Sequence, residues 1–166
     1  MFIEMRVSGL TMDPITNTPI VILKDLEEKK AIPIWIGIFE ASAIATEIEK
    51  ITFSRPMTHD LLNDIVKLLD TKVVRVEIHD LRNNTFFANI HLLRDGKMMV
   101  VDARPSDAIA VALRAGAQIF VDEKVIEKSR NVDFGTKITD LDRLKKEKMA
   151  EFLENLSPED FGKYKM

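Results

Sequence analysis

The sequence predicts a single domain in which β-strands and α-helices are mixed. A chain of 166 residues that is 46% hydrophobic is long and apolar enough to build one core. Several short runs alternate between apolar and polar residues, which is typical of strands with one buried face. Other runs repeat their apolar residues at helical spacing, and the dipeptide Asp95-Gly96 predicts a tight hairpin between two strands.

Composition narrows the classes of protein that the chain can belong to. No stretch is apolar over the roughly 20 residues that a membrane-spanning helix needs. The N-terminus alternates between apolar and polar residues and carries Glu4 and Arg6, which is not the pattern of a secretory signal. The absence of cysteine excludes disulfides and thiolate chemistry. We therefore expect a cytoplasmic protein without membrane contact. Because the net charge is −3, binding to nucleic acid would need a local arginine cluster or a metal ion.

The predicted elements follow one another without a linker that would separate two domains. Pro33 cannot donate a hydrogen bond to a neighbouring strand, which favours an edge position or an irregular strand. Segment 134–166 has apolar residues at helical spacing and is predicted to be a helical appendage that packs on the domain or on a partner subunit. The predicted strands cover residues 2–9, 20–25, 31–36, 73–79, 86–93, 98–103 and 118–122, and the predicted helices cover residues 38–50, 56–69 and 105–115. The apolar stripe of helix 56–69 is predicted to be buried and consists of Leu61, Leu62, Ile65, Val66 and Leu69.

The register of three central strands can be argued from their turns. A three-residue loop at residues 82–84 sets Ile78 opposite Ala88, which keeps the apolar side chains of both strands on one face. The opposite face then collects one polar row, formed by Glu77, Asn89 and Asp102. We interpret this row either as an ordinary solvated sheet face or as a polar floor beneath the helix that follows it.

Two helix openings place an arginine directly before a proline. Pro105 suits the first position of a helix, and Asp107 follows in the first turn, where a carboxylate faces the positive end of the helix dipole. Free N–H groups and an arginine fork suit a phosphate, so the predicted phosphate ligands are Arg55, Arg104 and Ser106. The alternative is a capping motif in which each arginine pairs with a carboxylate.

His59 is the predicted general acid or base, because an imidazole exchanges protons near neutral pH, and Asp60 would assist it. The oxygen atoms of Glu40, Asp102 and Asp107 could hold Mg²⁺ or Mn²⁺ if the fold brings these residues together. Asp102 and Asp107 therefore join His59 and Asp60 as predicted catalytic residues. The sequence contains no Walker loop, HExxH or other familiar catalytic motif.

Three blocks of the sequence resemble the bifunctional nuclease domain family. They are PIWIG followed by EA within residues 33–41, RPMTHDL at residues 55–61 and DARPSDAIA at residues 102–110. The resemblance covers residues 1–133 and implies an α+β domain with a strongly twisted, largely antiparallel sheet and helices packed on one side. It also implies a homodimer and a metal-assisted nuclease that acts on DNA and RNA. Many bacterial members carry a C-terminal UVR motif, whose pattern the tail here lacks.

Two functions are therefore weighed. The first is a metal-dependent phosphodiesterase that acts on DNA and RNA through the residues named above. The second is a non-catalytic regulatory or binding module for an anionic ligand, a nucleotide or a protein partner, in which the acids pair with the arginines. A third possibility is that the three blocks only determine the fold and that function lies on a dimer surface.

Overall fold

The computed structural model describes residues 1–130, which form a seven-stranded sheet with four helices packed against it. The predicted α+β class is thereby confirmed, whereas the predicted appendage at residues 134–166 lies outside the described residues. The strands are β1 (Phe2–Met12), β2 (Pro19–Asp25), β3 (Ala31–Trp35), β4 (Lys72–Arg82), β5 (Thr85–Arg94), β6 (Lys97–Ala103) and β7 (Gln118–Asp122). The helices are α1 (Ile38–Ile48), α2 (Thr58–Leu68), α3 (Pro105–Ala115) and α4 (Glu123–Arg130).

The sheet is antiparallel except at one pair of strands. Its order is β3-β2-β1-β7-β4-β5-β6, and β7 runs parallel to β4 but antiparallel to β1. Because β6 lies at one edge and β7 in the middle, the chain returns across the sheet between them, and α3 forms that crossover. β3 lies at the other edge, as Pro33 predicts.

The register between β4 and β5 is as predicted, but the turn is not. Ile78 lies opposite Ala88. The predicted three-residue loop is wrong, because the turn contains only Asn83 and Asn84, whose φ angles of 49° and 59° suit a two-residue hairpin. A β-bulge between Ile78 and Asp80 supplies the extra residue that keeps the apolar side chains on one face.

The polar row forms as predicted, but it does not lie beneath a helix. Glu77, Asn89 and Asp102 are neighbours across three strands, and the predicted two-residue turn between β5 and β6 is confirmed. The next residue, Ala103, pairs with Ala88, which belongs to the core on which α3 packs. Since side chains alternate along a strand, the row lies on the sheet face opposite α3. The interpretation as a polar floor beneath α3 is therefore wrong.

Helix α3 is buried, as its apolar composition predicts. Pro105 occupies its first turn, and Gly116 ends it with a left-handed φ of 65°, which residues with a side chain rarely adopt. Its apolar residues pack into one core with the inner face of the sheet. The fully buried residues of this core include Leu23, Ile44, Val76, Ile78, Ala88, Ile109, Val111, Val121 and Val125.

Helix α2 differs from its prediction at its start and on its apolar face. It begins at Thr58, with Met57 as the N-cap, rather than at Pro56. Of the residues predicted to be buried, Val66 packs against the core, whereas four are exposed: Leu61, Leu62, Ile65 and Leu69. None of the four helices within residues 1–130 is long and apolar enough to cross a membrane.

Candidate anion-binding and acid–base site

The first turns of three helices meet at one place. They bring together Glu40 of α1, His59 of α2 and Asp107 of α3, and Arg104 is the N-cap of α3. His59 Nε2 lies 2.9 Å from Asp107 Oδ1. Arg104 donates from Nε to Asp107 Oδ2 at 2.7 Å, and its Nη1 lies 2.9 Å from Glu40 Oε1. Four of the predicted site residues are therefore linked in a row, from His59 through Asp107 and Arg104 to Glu40.

The charges at this junction are arranged around an exposed guanidinium. Helix N-termini carry free N–H groups and the positive end of the helix dipole, so three of them together favour an anion. Glu40 and Asp107 offset this positive potential. The side chain of Arg104 is nevertheless 65% exposed, and the contacts to the two carboxylates use Nε and Nη1. Within residues 1–130 no contact of Nη2 with a carboxylate is seen, so this group could meet an incoming anion.

Asp107 is ionised, and its hydrogen bond with His59 determines which ring nitrogen carries the proton. Burial works to raise the pKa of Asp107, but hydrogen bonds from Arg104 and His59 outweigh burial and hold the pKa below its ordinary value. An ionised carboxylate only accepts, so a neutral His59 carries its proton on Nε2 and its lone pair on Nδ1. The same hydrogen bond with Asp107 raises the pKa of Arg104, which therefore stays charged.

Glu40 folds back over the start of its own helix. Its Oε2 atom occupies the place where a side chain at Gly37 would begin, so a larger residue there would displace this flexible carboxylate. The φ of Gly37 is −76°, which any residue can adopt. Gly37 therefore leaves room for the observed placement of Glu40 beside Arg104.

Asp60 does not act on His59, although the sequence suggests that pairing. Its Oδ2 accepts a hydrogen bond from the backbone N–H of Met57 at 3.0 Å, and its Oδ1 accepts one from Arg114 Nε at 2.7 Å. Burial works to raise the pKa of Asp60, but these two partners hold it below its ordinary value. Asp60 thus caps α2 and ties it to α3, while Asp107 is the partner of His59.

Arg114 is a residue that the sequence analysis missed. Its side chain is only 5% exposed, and it donates to Asp60, to the carbonyl of Ala110 and to the carbonyl of Ala43. It thereby joins α1, α2 and α3 behind the site. The available signal was a single arginine in the last turn of an otherwise apolar helix, which indicates a buried cation with a carboxylate partner.

The structure does not bring Asp102 together with the other predicted acids. Its side chain belongs to the polar row on the opposite face of the sheet, where the neighbouring groups form a network of their own. Glu77 is 7% exposed, and its carboxylate pairs with two cations or donors. Its Oε2 lies 2.8 Å from His91 Nε2, and its Oε1 lies 2.7 Å from Arg75 Nη2. Because His91 is paired, the face around it is not simply solvated.

The two predicted Arg-Pro openings are not equivalent. Arg104 caps α3 directly, whereas Arg55 lies before the N-cap of α2, is exposed, and makes no ion pair or hydrogen bond with other residues of the described chain. The capping alternative, in which the arginine pairs with a carboxylate, therefore describes Arg104 but not Arg55. Ser106 is buried in the first turn of α3.

The carboxylates at the junction are the type of ligand that a divalent cation prefers, but they are not positioned to share one. Oxygen atoms of Glu40 and Asp107 are typical ligands of Mg²⁺ and Mn²⁺. The guanidinium of Arg104, however, lies between them and binds both. Across residues 1–130 no group of three or more histidine, cysteine, aspartate or glutamate side chains is placed to hold a metal ion. A metal site would therefore require Arg104 to move.

The fold and this junction define an α+β domain with a candidate anion-binding and acid–base site. The family model described as "Bifunctional nuclease domain" matches residues 21–133, which include all of these site residues. The chain therefore belongs to the bifunctional nuclease domain family.

Two relatives from Mycobacterium tuberculosis match nearly the whole chain. The uncharacterized protein Rv1829 of strain ATCC 25618 / H37Rv is 37% identical over 164 residues, which is 95% of this chain and 97% of the relative. The uncharacterized protein MT1877 of strain CDC 1551 / Oshkosh matches with the same identity and coverage. The similarity thus extends into segment 134–166.

Proposed function

We propose that this protein is a phosphodiesterase that cleaves DNA and RNA at the junction of α1, α2 and α3. The observation that carries the proposal is the hydrogen bond between His59 and an ionised Asp107 beside an exposed arginine at three helix N-termini. Family membership supports the same reaction class.

Each residue has a chemical role in this proposal. Arg104 Nη2 and the free N–H groups of the helix ends hold a phosphate oxygen and stabilise its negative charge in the transition state. His59 Nδ1 accepts the proton of an attacking water and returns a proton to the leaving oxygen. Asp107 positions the imidazole and stabilises its charged form. Glu40 keeps the guanidinium in place, and Arg55 binds a neighbouring phosphate of the substrate.

We keep Mg²⁺ or Mn²⁺ as a proposed cofactor, because Glu40 and Asp107 have the oxygen ligands that such ions prefer. A bound cation would supply charge stabilisation and an activated water. No step above depends on it, since Arg104 lies between the two carboxylates.

The experiment is digestion of single-stranded and duplex DNA and RNA by highly purified protein in Mg²⁺, Mn²⁺ or EDTA. We expect His59→Ala and Asp107→Asn to lower the cleavage rate by about 100-fold or more, since general acid–base catalysis contributes on that order. Asp64→Asn is the matched control, because Asp64 is exposed on the same helix and has no described partner. The proposal fails if the wild type cuts none of the substrates, or if folded variants cut as fast as the control.

A non-catalytic binding module is the second candidate. The observation that favours it is that Arg104 already pairs with both Glu40 and Asp107, which holds its guanidinium in one place between the two carboxylates. In that case nucleotides would raise the melting temperature in a saturable manner while no turnover occurs. Loss of this shift in Arg55→Ala and Arg104→Ala would identify the binding site.

We also propose that the protein is a homodimer formed through β6. This edge strand has exposed apolar side chains on both faces, namely Met98, Met99, Val100 and Val101. An uncovered apolar edge promotes aggregation, and antiparallel pairing with β6 of a second copy would cover it with two-fold symmetry. Light scattering after gel filtration should show a dimer that Val100→Asp converts to a monomer. The exposed Leu68→Asp on α2 is the control, and a wild-type monomer would refute the proposal.

A further inference from the structure

Phe39 is a solvent-exposed aromatic residue at the edge of the candidate site. Its side chain is 73% exposed, far more than the other exposed phenylalanines, Phe2 and Phe53. Burying an aromatic ring is strongly favourable, so an exposed ring at the edge of a candidate site offers contact area to a ligand. Ile38, beside it, is exposed as well.

The position of Phe39 connects it with the phosphate-binding groups. It lies in the first turn of α1, and the next residue, Glu40, contacts Arg104. Phe39 and Glu40 thus share the helix turn that meets Arg104, although neighbouring side chains on a helix point in different directions. A nucleotide whose phosphate bound at Arg104 could therefore extend its base across this turn toward Phe39.

We propose that Phe39 stacks on a nucleobase of the substrate, and that the site therefore takes single-stranded nucleic acid. This inference rests on the proposed function, because it needs a nucleic-acid phosphate at Arg104. A base inside a duplex has both faces covered by its neighbours, whereas an unpaired base can turn onto an aromatic ring. Because a net charge of −3 gives no basic surface to hold the phosphates, stacking has to supply part of the affinity in this proposal.

The test measures binding of the full chain to fluorescent 12-residue oligothymidylate, its duplex with oligoadenylate, and a 12-residue abasic deoxyribose-phosphate strand. Phe39→Ala should weaken binding to oligothymidylate by roughly 5- to 100-fold, as expected for one stacked base, and should leave binding to the abasic strand unchanged. Phe39→Trp should restore binding. Leu68→Ala is the matched control, because Leu68 is 81% exposed at the far end of α2.

Each outcome separates the stacking role from the nuclease role. Loss of binding in Phe39→Ala without cleavage by the wild type supports stacking and refutes the phosphodiesterase. Cleavage by the wild type together with unchanged binding in Phe39→Ala refutes stacking alone. The inference is also overturned if Leu68→Ala binds as weakly as Phe39→Ala, if the abasic strand loses as much affinity, or if Phe39→Ala only dissociates a dimer.

Discussion

The single side chain of Arg114 links the three helices that carry the candidate site. Its guanidinium is buried and is satisfied by one carboxylate and two backbone carbonyls from three different helices. A buried cation of this kind is tolerated only when all its donors are used. The relative positions of Glu40, His59 and Asp107 therefore depend on a residue that touches none of them.

Replacing this arginine should destabilise the whole protein. We expect Arg114→Met to lower the free energy of unfolding by about 3 kcal/mol, because Asp60 and two carbonyls lose their partner while the apolar stem is retained. Urea denaturation at pH 7 measures this change. Arg94→Met, at a half-exposed position in β5, is the control and should cost less than about 0.5 kcal/mol. Equal losses in the two variants would contradict the buried role.

The residue scale is also where sequence reasoning reaches its limit. Caps and polar helix openings are local features, so Arg104, Asp107 and His59 could be identified from neighbouring residues alone. Their partners could not, because His59 pairs with Asp107 across 48 positions of the chain and Asp60 with Arg114 across 54. Sequence neighbours on a helix point apart, which is why the suggested pairing of His59 with Asp60 does not form.

Among the elements, the hairpin of β4 and β5 shows that a correct register can follow from an incorrect turn. The apolar alternation determines which residues must face the core, and it predicted the pairing of Ile78 with Ala88. A bulge satisfies that requirement while the turn stays at two residues. Bulges have no reliable sequence signal. The register was therefore predictable, whereas the bulge and the length of the turn were not.

This turn offers a stability test. Asn84 has a φ of 59°, a left-handed conformation that glycine adopts more easily, and Asn-Gly is the preferred pair in such turns. We expect Asn84→Gly to be neutral or to stabilise the protein by up to about 1 kcal/mol, and Asn84→Val to destabilise it by about 1 to 2 kcal/mol. Thermal unfolding of both variants checks this ordering. The reverse ordering would show that the turn does not have this geometry.

Helix α2 is the element whose apolar face misled the sequence analysis. A helical stripe of leucines and isoleucines ordinarily marks the side that packs on the core. Here Asn63 and Val66 face inward, while Leu61, Leu62 and Ile65 stay exposed. The periodicity predicted the helix correctly but could not tell the core of the domain from a surface that another chain or segment covers.

At the scale of the whole molecule, the lowered pKa values of three carboxylates make the free energy of unfolding depend on pH. A hydrogen bond from Trp35 lowers the pKa of Asp13, and the pKa values of Asp60 and Asp107 are lowered as described above, all from an ordinary value of 3.8. The folded state therefore binds fewer protons than the unfolded state below about pH 5, so stability is complete above that pH and falls as the pH drops through the folded pKa values.

The acid dependence can be assigned by substitution. Between about pH 3 and pH 6, Asp107→Asn should show a smaller rise in the free energy of unfolding than the wild type, because one of the linked protons is absent. The two curves should approach each other at the acid end and differ most near neutral pH. Urea denaturation across this range measures both curves. Parallel curves would mean that Asp107 titrates alike in the folded and unfolded states.

The placement of β7 determines when the sheet can be completed during synthesis. This strand lies between β1 and β4, yet it is the last of the seven strands in residues 1–130 to leave the ribosome. Until it arrives, β1 and β4 each keep an open edge, and pairings between such edges are a common route to misfolded chains. The nascent protein therefore carries two unfinished half-sheets, and residues 118–122 join them.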